Sequence, residues 1–220
     1  MRHRIVICLL AITIAPAHSE PLSPGDVQNL LAQIREKRAA APHVQADFRE
    51  EKMVRLMKKP IVSAGKVWFE APNKFRREVK GNSSSIMVSN GQELWIYYPN
   101  FKSAEHYSLG KRTQLDSALA AITAALNLEN VESSYQIAGA KMGNEYDLEL
   151  APRRPSLKKL FEKFRLHLNS DLLADRTELL QVNGDRIVTS YSNQTRAPIP
   201  ASTFQFTPPP GTDVTTPLGR

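Results

Sequence analysis

Short runs of alternating apolar and polar residues, separated by turns, occupy most of the chain. This alternation is typical of β-strands, whose successive side chains point to opposite faces of a sheet. Asn90-Gly91 and Asn183-Gly184 separate pairs of runs and predict type I′ hairpins, because both central residues of that turn need positive φ. The predicted strands are 44–51, 64–70, 75–79, 85–89, 93–98, 104–107, 131–138, 145–150, 164–168, 175–182, 185–191 and 202–206.

Helical spacing appears in few places. Ser23 is a good N-cap residue, followed by proline at N1 and Asp26 at N3, and these predict a helix that runs to about residue 38. Its apolar stripe is Val27, Leu30, Leu31 and Ile34. An alanine-rich stretch predicts a second helix from about residue 113 to 128, with Leu115, Leu119, Ile122 and Leu126 as its stripe. A third, at 156–163, is a weaker alternative because it merges into the alternating residues 164–168.

The number of strands restricts the fold. Eleven or twelve antiparallel strands exceed what a small closed barrel needs, and two or three helices cannot cover both faces of such a sheet. We therefore expect a mainly β domain, an incomplete antiparallel barrel of about eleven strands with helices over its concave face. Residues 20–220 form a single domain in this interpretation.

Two strands carry apolar side chains on both faces. In segments 94–98 and 67–69, the odd-numbered and the even-numbered positions are all aliphatic or aromatic. One face can form the core while the other meets helices or a ligand. The alternative, aromatic-rich strands in an ordinary sandwich, stays open on patterning alone.

The first nineteen residues predict an export signal. Arg2 and Arg4 precede a short apolar run, and Ala17 and Ser19 then supply the small residues that a signal peptidase accepts. We expect cleavage before Glu20, with a cut after Ala17 as the alternative, and a periplasmic protein. Cleavage would also remove Cys8, the single cysteine, and leave neither a thiol nor a disulfide.

Charge adds little to this picture. Without Arg2 and Arg4, 27 Lys and Arg face 22 Asp and Glu, a net charge of about +5. The basic pairs are Lys58-Lys59, Arg76-Arg77, Arg153-Arg154 and Lys158-Lys159. Export argues against nucleic acid, so these pairs indicate either a solvated surface or weak attraction to anionic lipid headgroups.

Catalytic motifs are missing from the sequence. We find no Gly-x-Ser-x-Gly elbow, phosphate loop, His-Glu-x-x-His pair or His/Cys cluster, and His43, His106 and His167 lie far apart. We therefore expect no enzyme activity, no catalytic residues, no metal and no cofactor.

Four segments in order and spacing resemble the LolA family of periplasmic outer-membrane lipoprotein carriers. They are 44–48 (VQADF), 65–73 (GKVWFEAPN), 88–99 (VSNGQELWIYYP) and 202–209 (STFQFTPP). The resemblance implies a half-open barrel lidded by helices, which binds the acyl chains of lipoproteins or lipids and catalyses nothing. It also implies an inner-membrane donor and an outer-membrane acceptor, and we expect a monomer. A sensor of the same fold that binds peptide or lipid in an envelope-stress pathway is the alternative.

Strand alternation and the implied function together suggest which side chains contact a lipid. The candidates are Phe48, Val67, Phe69, Phe75, Ile86, Val88, Leu94, Ile96, Ile122 and Leu126. Plain core packing is the alternative for each.

One position departs from the family pattern. Well-known carriers have an arginine immediately before the Pro-Asn that ends the Gly-x-x-Trp strand, where it helps to hold the lid; here that residue is Ala71. Phe75 matches the aromatic residue that the family places three positions after the proline. Unless another residue substitutes for the arginine, we expect a closed state that is less favoured than in those carriers.

Overall fold

The computed structural model describes residues 19–109, 128 and 131–216. Within these ranges no helix is long and apolar enough to cross a membrane. The expected signal segment and the second predicted helix, with Ile122 and Leu126, lie outside the described residues.

Helix α1 spans Pro24–Ala40 and begins where its sequence predicts. The Ser23 hydroxyl accepts a hydrogen bond from the amide of Asp26 at 3.2 Å, and the Asp26 carboxylate accepts one from the Ser23 amide at 3.3 Å. This reciprocal capping box satisfies two of the amides that a helix start leaves unpaired. A second, short helix, α2, spans Pro155–Lys158 before the chain enters a strand.

The remaining described chain is dominated by strands. Their bounds are β1 Glu20–Pro21, β2 His43–Met53, β3 Ile61–Glu70, β4 Lys74–Lys80, β5 Ser85–Ser89, β6 Glu93–Tyr98, β7 Ser103–Ser108, β8 Tyr135–Met142, β9 Glu145–Pro152, β10 Phe161–Leu168, β11 Ala174–Gln181, β12 Arg186–Thr195 and β13 Asp213–Thr215. Short 3₁₀ turns lie at Pro99–Phe101, Val131–Ser133 and Ala201–Phe204.

All thirteen strands form one open sheet in the order β1-β8-β9-β10-β11-β12-β2-β3-β4-β5-β6-β7-β13. Every pairing is antiparallel except that of β13 with β7. The mainly β, open antiparallel architecture is confirmed, and the described sheet has thirteen strands rather than about eleven. The two additional short strands, β1 and β13, lie at its edges.

Helix α1 defines the inner face of the sheet, since its whole apolar stripe packs there. Val27, Leu30, Leu31 and Ile34 join one core with inward side chains of β8, β9 and β10. The largest buried members from the strands are Tyr135, Leu148, Leu150, Leu166 and Leu168. This cluster anchors α1 to one half of the sheet.

Three local predictions were wrong. Residues 202–206 were predicted as a strand, but they form a 3₁₀ turn followed by extended chain that does not pair with the sheet. The strand predicted to start at residue 131 starts at Tyr135, after a 3₁₀ turn. Both Asn-Gly hairpins exist, but in each Asn-Gly pair only the glycine, Gly91 or Gly184, has a positive φ. The asparagines instead accept backbone hydrogen bonds through their side chains, so the turns are not type I′.

A glycine in β3 provides a test of this packing. A Cβ added at Gly65 would overlap the backbone carbonyl of Glu78 and lie 3.0 Å from Cε1 of Phe48. We expect Gly65→Ala to reduce the free energy of unfolding by about 3 kcal/mol or more, measured by urea denaturation. Gly25→Ala is the control, because its nearest neighbour would be Ser23 Oγ at 3.8 Å. It should change stability by less than about 1 kcal/mol. Equal effects of the two changes would contradict the described approach of β3 and β4.

Candidate functional site

Register places most of the predicted side chains on the inner face of β2 to β6. Phe48 lies opposite Gly65, and Val67 lies opposite Ala46. A row crosses the sheet through paired residues, from Phe69 to Phe75, then Ser89 and Leu94. A second row runs from Val67 through Arg77 and Met87 to Ile96. Six predicted residues therefore share one face: Phe48, Val67, Phe69, Phe75, Leu94 and Ile96.

Ile86 and Val88 lie on the opposite, outer face. They pair with Glu78 and Arg76 on β4 and with Tyr97 and Trp95 on β6. The inward residue of β5 between them is Met87, which the sequence analysis missed because Ser85 and Ser89 share its parity and favour the opposite assignment.

The C-terminal segment covers this part of the outer face. The ring of Phe206 lies 5.8 Å from that of Trp95 and 5.5 Å from that of Tyr97, measured between centroids. Arg76 Nη1 donates a hydrogen bond to the carbonyl of Thr203 at 3.1 Å. Val88 and Phe204 are each only 2% exposed. The second apolar face of these strands therefore meets the chain's own C-terminal segment.

An apolar cavity of about 80 Å³ lies on the inner face where α1 ends. Val44, Ala46, Val67 and Phe69 line it from β2 and β3. Ala41 and Pro42, at the end of the helix, and Leu173, before β11, line the other side. Ala71 and Ala174 also contribute to its wall, together with the polar side chains of Arg38, Tyr191 and Gln194. The cavity thus lies between the sheet and two connecting segments.

A half-buried ion pair lies beside Phe48 on the same face. Arg77 Nη2 donates a hydrogen bond to Glu50 Oε2 at 2.9 Å, and the guanidinium carbon is 4.3 Å from the centre of the Phe48 ring. The hydroxyls of Thr189 and Ser63 donate to the Glu50 carboxylate at 3.4 and 3.5 Å. Charge on an apolar face costs desolvation energy unless it is paired, and here both groups have partners.

Tyr191 lies next to this pair, opposite Phe48 on β12. Burial raises the pKa of its hydroxyl, while hydrogen bonds with Thr177 and Thr189 and the charge of Arg77 act in the other direction. The phenol stays neutral at physiological pH and keeps its hydrogen-bonding proton. Neither Arg77 nor Tyr191 was predicted, because a charged or hydroxylated residue in an alternating strand is usually assigned to the solvent face.

Arg196 connects the end of α1 to the segment before β11. Its Nη1 donates to the carbonyl of Lys37 at 2.9 Å, and its Nη2 donates to the carbonyl of Asp171 at 3.2 Å. A guanidinium thus holds a helix carbonyl and a loop carbonyl beside the cavity, although Ala71 has no such group. The Ala71 amide donates to the carbonyl of Pro42 at 3.0 Å.

A larger groove of about 700 Å³ crosses β8 to β11, but its chemistry differs. Its lining includes Asp147, Glu149, Arg165, His167, Arg176 and Glu178. These charged side chains do not suit an apolar ligand. Among the described residues, no group of three or more His, Cys, Asp or Glu is arranged to hold a metal ion.

The ion pair generates a prediction about stability. In a double-mutant cycle, Glu50→Ala and Arg77→Ala should couple by about 1 kcal/mol or more, because each single change leaves a half-buried charge unpaired. Urea denaturation of the four proteins measures this coupling. The control is the cycle of Arg49→Ala and Glu51→Ala, an ion pair on the outer face of the same strand, with 59% of the Arg49 side chain exposed. The control should couple by less than about 0.5 kcal/mol; a coupling for Glu50 and Arg77 that is no larger would contradict the prediction.

Known proteins share both the sequence pattern and the fold. An "Outer-membrane lipoprotein carrier protein" of Methylibium petroleiphilum is 25% identical, over 97% of this chain and 98% of its own. One of Dechloromonas aromatica is 29% identical, over 78% of this chain and 80% of its own. The crystal structure of an uncharacterized conserved protein from Thermus thermophilus superposes with a TM-score of 0.53 at 13% identity, covering 86% of this chain and 98% of that protein.

The family comparison covers the cavity and most of the sheet. Residues 40–207 match the family model described as "Outer membrane lipoprotein carrier protein LolA". The matched range starts at the end of α1 and includes β2 to β12, Tyr191 and Arg196. The chain therefore belongs to the LolA family of outer-membrane lipoprotein carrier proteins.

Proposed function

We propose that the protein is a periplasmic carrier that binds the acyl chains of lipoproteins or lipids against the inner face of its sheet. It ferries them through the aqueous periplasm toward the outer membrane and catalyses no reaction. The observation that carries this proposal is the apolar cavity between the end of α1 and Val44, Ala46, Val67 and Phe69, in a chain of the LolA family.

The energetics explain why such a carrier is needed. Keeping an acyl chain of ~16 carbons in water costs roughly 0.8 kcal/mol for each methylene, or about 12 kcal/mol in all. Transfer without a carrier is therefore slow. An apolar wall supplies most of this energy and needs no specific hydrogen bonds along the acyl chain.

Loading requires the cavity to open. Its volume of about 80 Å³ is far below the ~300 Å³ at which small-molecule pockets begin. The sheet side is held by the continuous pairing of β2 with β3, whereas the pairing of β12 with β2 has an irregularity between Ser192 and Thr195. We infer that the end of α1 and residues 169–173 move apart, and that this movement breaks the two hydrogen bonds of Arg196.

The proposed cycle has a donor at the inner membrane and an acceptor at the outer membrane. The carrier acts as a monomer, without a cofactor. Native mass spectrometry of protein purified from the cell envelope tests the cargo directly. Co-purified lipoprotein or lipid supports the proposal, whereas co-purified peptide would support a sensor instead.

Three substitutions, two on the inner face and one on the outer face, test where the cargo lies. Phe69→Glu places a carboxylate in the cavity wall and should weaken binding of a fluorescent fatty acid by tenfold or more, because an unpaired charge costs several kcal/mol against an apolar chain. Ile96→Glu, on the same face, should act in the same direction. Ile86→Glu is the matched control, since that side chain points to the outer face. If all three folded proteins bind as the parent does, the inner face is not the binding surface.

Two arginine changes test the opening step. Arg196→Gln removes two exposed charge-assisted hydrogen bonds, which together are worth about 1 kcal/mol, and should raise the rate of spontaneous lipid uptake several-fold. Ala71→Arg should slow uptake, because a guanidinium at the cavity wall can donate to nearby helix and loop carbonyls. Stopped-flow fluorescence measures both rates.

Arg49→Gln, on the outer face of β2, controls for the general effect of losing an arginine. Its uptake rate should equal that of the parent. Unchanged rates in both Arg196→Gln and Ala71→Arg, with intact circular dichroism, would show that neither position controls opening.

A further inference from the structure

One corner of the sheet exposes an unusual number of apolar side chains. The connection between β2 and β3 carries Leu56, which is 93% exposed, and Met57. Ile61 and Val62, at the start of β3, and Val182, after β11, are also exposed. Together, residues 54–62 and 182–185 form what we call the tip. It holds five of the eight large apolar side chains that are exposed in the described part of the chain.

The tip is held in a fixed arrangement by hydrogen bonds. The amide of Met57 donates to the carbonyl of Val54 at 2.8 Å, which closes the turn. The amide of Arg55 donates to Asp185 Oδ1 at 3.0 Å and so joins the two connections of the tip. Asp185 is buried, and its own amide donates to the side chain of Asn183 at 2.9 Å. The exposed apolar side chains therefore belong to an ordered element.

Cations surround these apolar side chains. Arg55 precedes Leu56, and Lys58 and Lys59 follow Met57, all three exposed. The single acid of the tip is Asp185, which is buried. None of the three cations forms an ion pair within residues 19–109 and 131–216, whereas Arg76 and Arg77 are paired with Glu78 and Glu50. Lys58 and Lys59 are thus free to attract an external anion.

We propose that the tip docks on an anionic lipid bilayer. Leu56 and Met57 enter the boundary between headgroups and acyl chains, and Arg55, Lys58 and Lys59 contact lipid phosphates. Protruding apolar side chains flanked by cations match the layered chemistry of a bilayer surface. This inference does not rest on the proposed carrier function.

The position of the tip keeps docking separate from the cavity. The tip follows the C-terminal end of β2, whereas the cavity is lined by Val44 and Ala46 near the start of that strand. At ~3.3 Å per residue, the two lie roughly 25 Å apart along β2. A carrier docked by its tip thus leaves the cavity away from the bilayer surface.

Vesicle binding of the exported protein tests the proposal. Co-sedimentation would compare vesicles of phosphatidylglycerol and phosphatidylethanolamine with vesicles of phosphatidylcholine alone. We expect binding to the anionic vesicles that weakens as NaCl increases. The double variant Leu56→Ser, Met57→Ser should lower the apparent partition coefficient about tenfold. Lys58→Glu should lower it at least about fivefold at low salt.

Matched controls isolate the tip. Phe101→Ser removes an apolar side chain that is 80% exposed in the β6–β7 connection, and Lys141→Glu reverses an exposed charge on β8. Both should bind anionic vesicles as the parent does. In Leu56→Trp, a shift of tryptophan emission to shorter wavelength on adding vesicles would report insertion at that position if the parent, with Trp68 and Trp95 alone, shows no such shift.

The outcomes distinguish this proposal from the carrier proposal. Phe69→Glu should keep full vesicle binding even though it loses fatty-acid binding. The docking proposal is overturned if the protein ignores anionic vesicles at low salt. It is equally overturned if Phe101→Ser and Lys141→Glu weaken binding as much as the tip variants do. Binding to a protein-containing membrane extract alone, lost in Leu56→Ser, Met57→Ser, would overturn lipid docking and show that the tip recognises a protein partner.

Discussion

The pairing register of β2, β3 and β4 determines which side chains face helix α1. Side chains alternate along a strand, so a slip of one residue would exchange Val67 and Phe69 for Lys66 and Trp68 on the inner face. Gly65 restricts that register because the backbone of β4 passes too close for any side chain there. The apolar cavity and the ion pair of Glu50 with Arg77 both depend on this arrangement.

The parts of the fold that local chemistry determines were predictable from sequence. Helix α1 follows from its capping box and apolar stripe, and β5 and β6 have the predicted bounds. The face of β5 was not predictable, because Ser85 and Ser89 lie on the inner face with Met87 and the alternation therefore favours the wrong face. Residues 202–206 alternate as a strand does, yet their aromatic side chains pack onto the outer face of β6 instead of pairing with an edge.

The polar residues of the inner face show a second limit of prediction from sequence. Glu50, Arg77 and Tyr191 come from three different strands, and each becomes acceptable on an apolar face only through partners on other strands. A single strand carries no sign of such a partnership. The same holds for Arg196, because its partners Lys37 and Asp171 lie 159 and 25 residues away from it in the sequence. A missing arginine at position 71 therefore says little about whether the cavity is held closed.

The order of strands has a consequence for strand addition at the edges of the sheet. An open sheet exposes backbone groups at its two outermost strands, and such edges can recruit strands from other chains. Here the outermost strands are β1 and β13, with two and three residues. β1 pairs with Ala140 and Lys141 of β8, and β13 pairs with residues 103–105 of β7, so each shortens the open edge of a longer strand. The C-terminal segment therefore has two roles: it covers the aromatic side chains of β6 on the outer face, and it shortens the edge of β7.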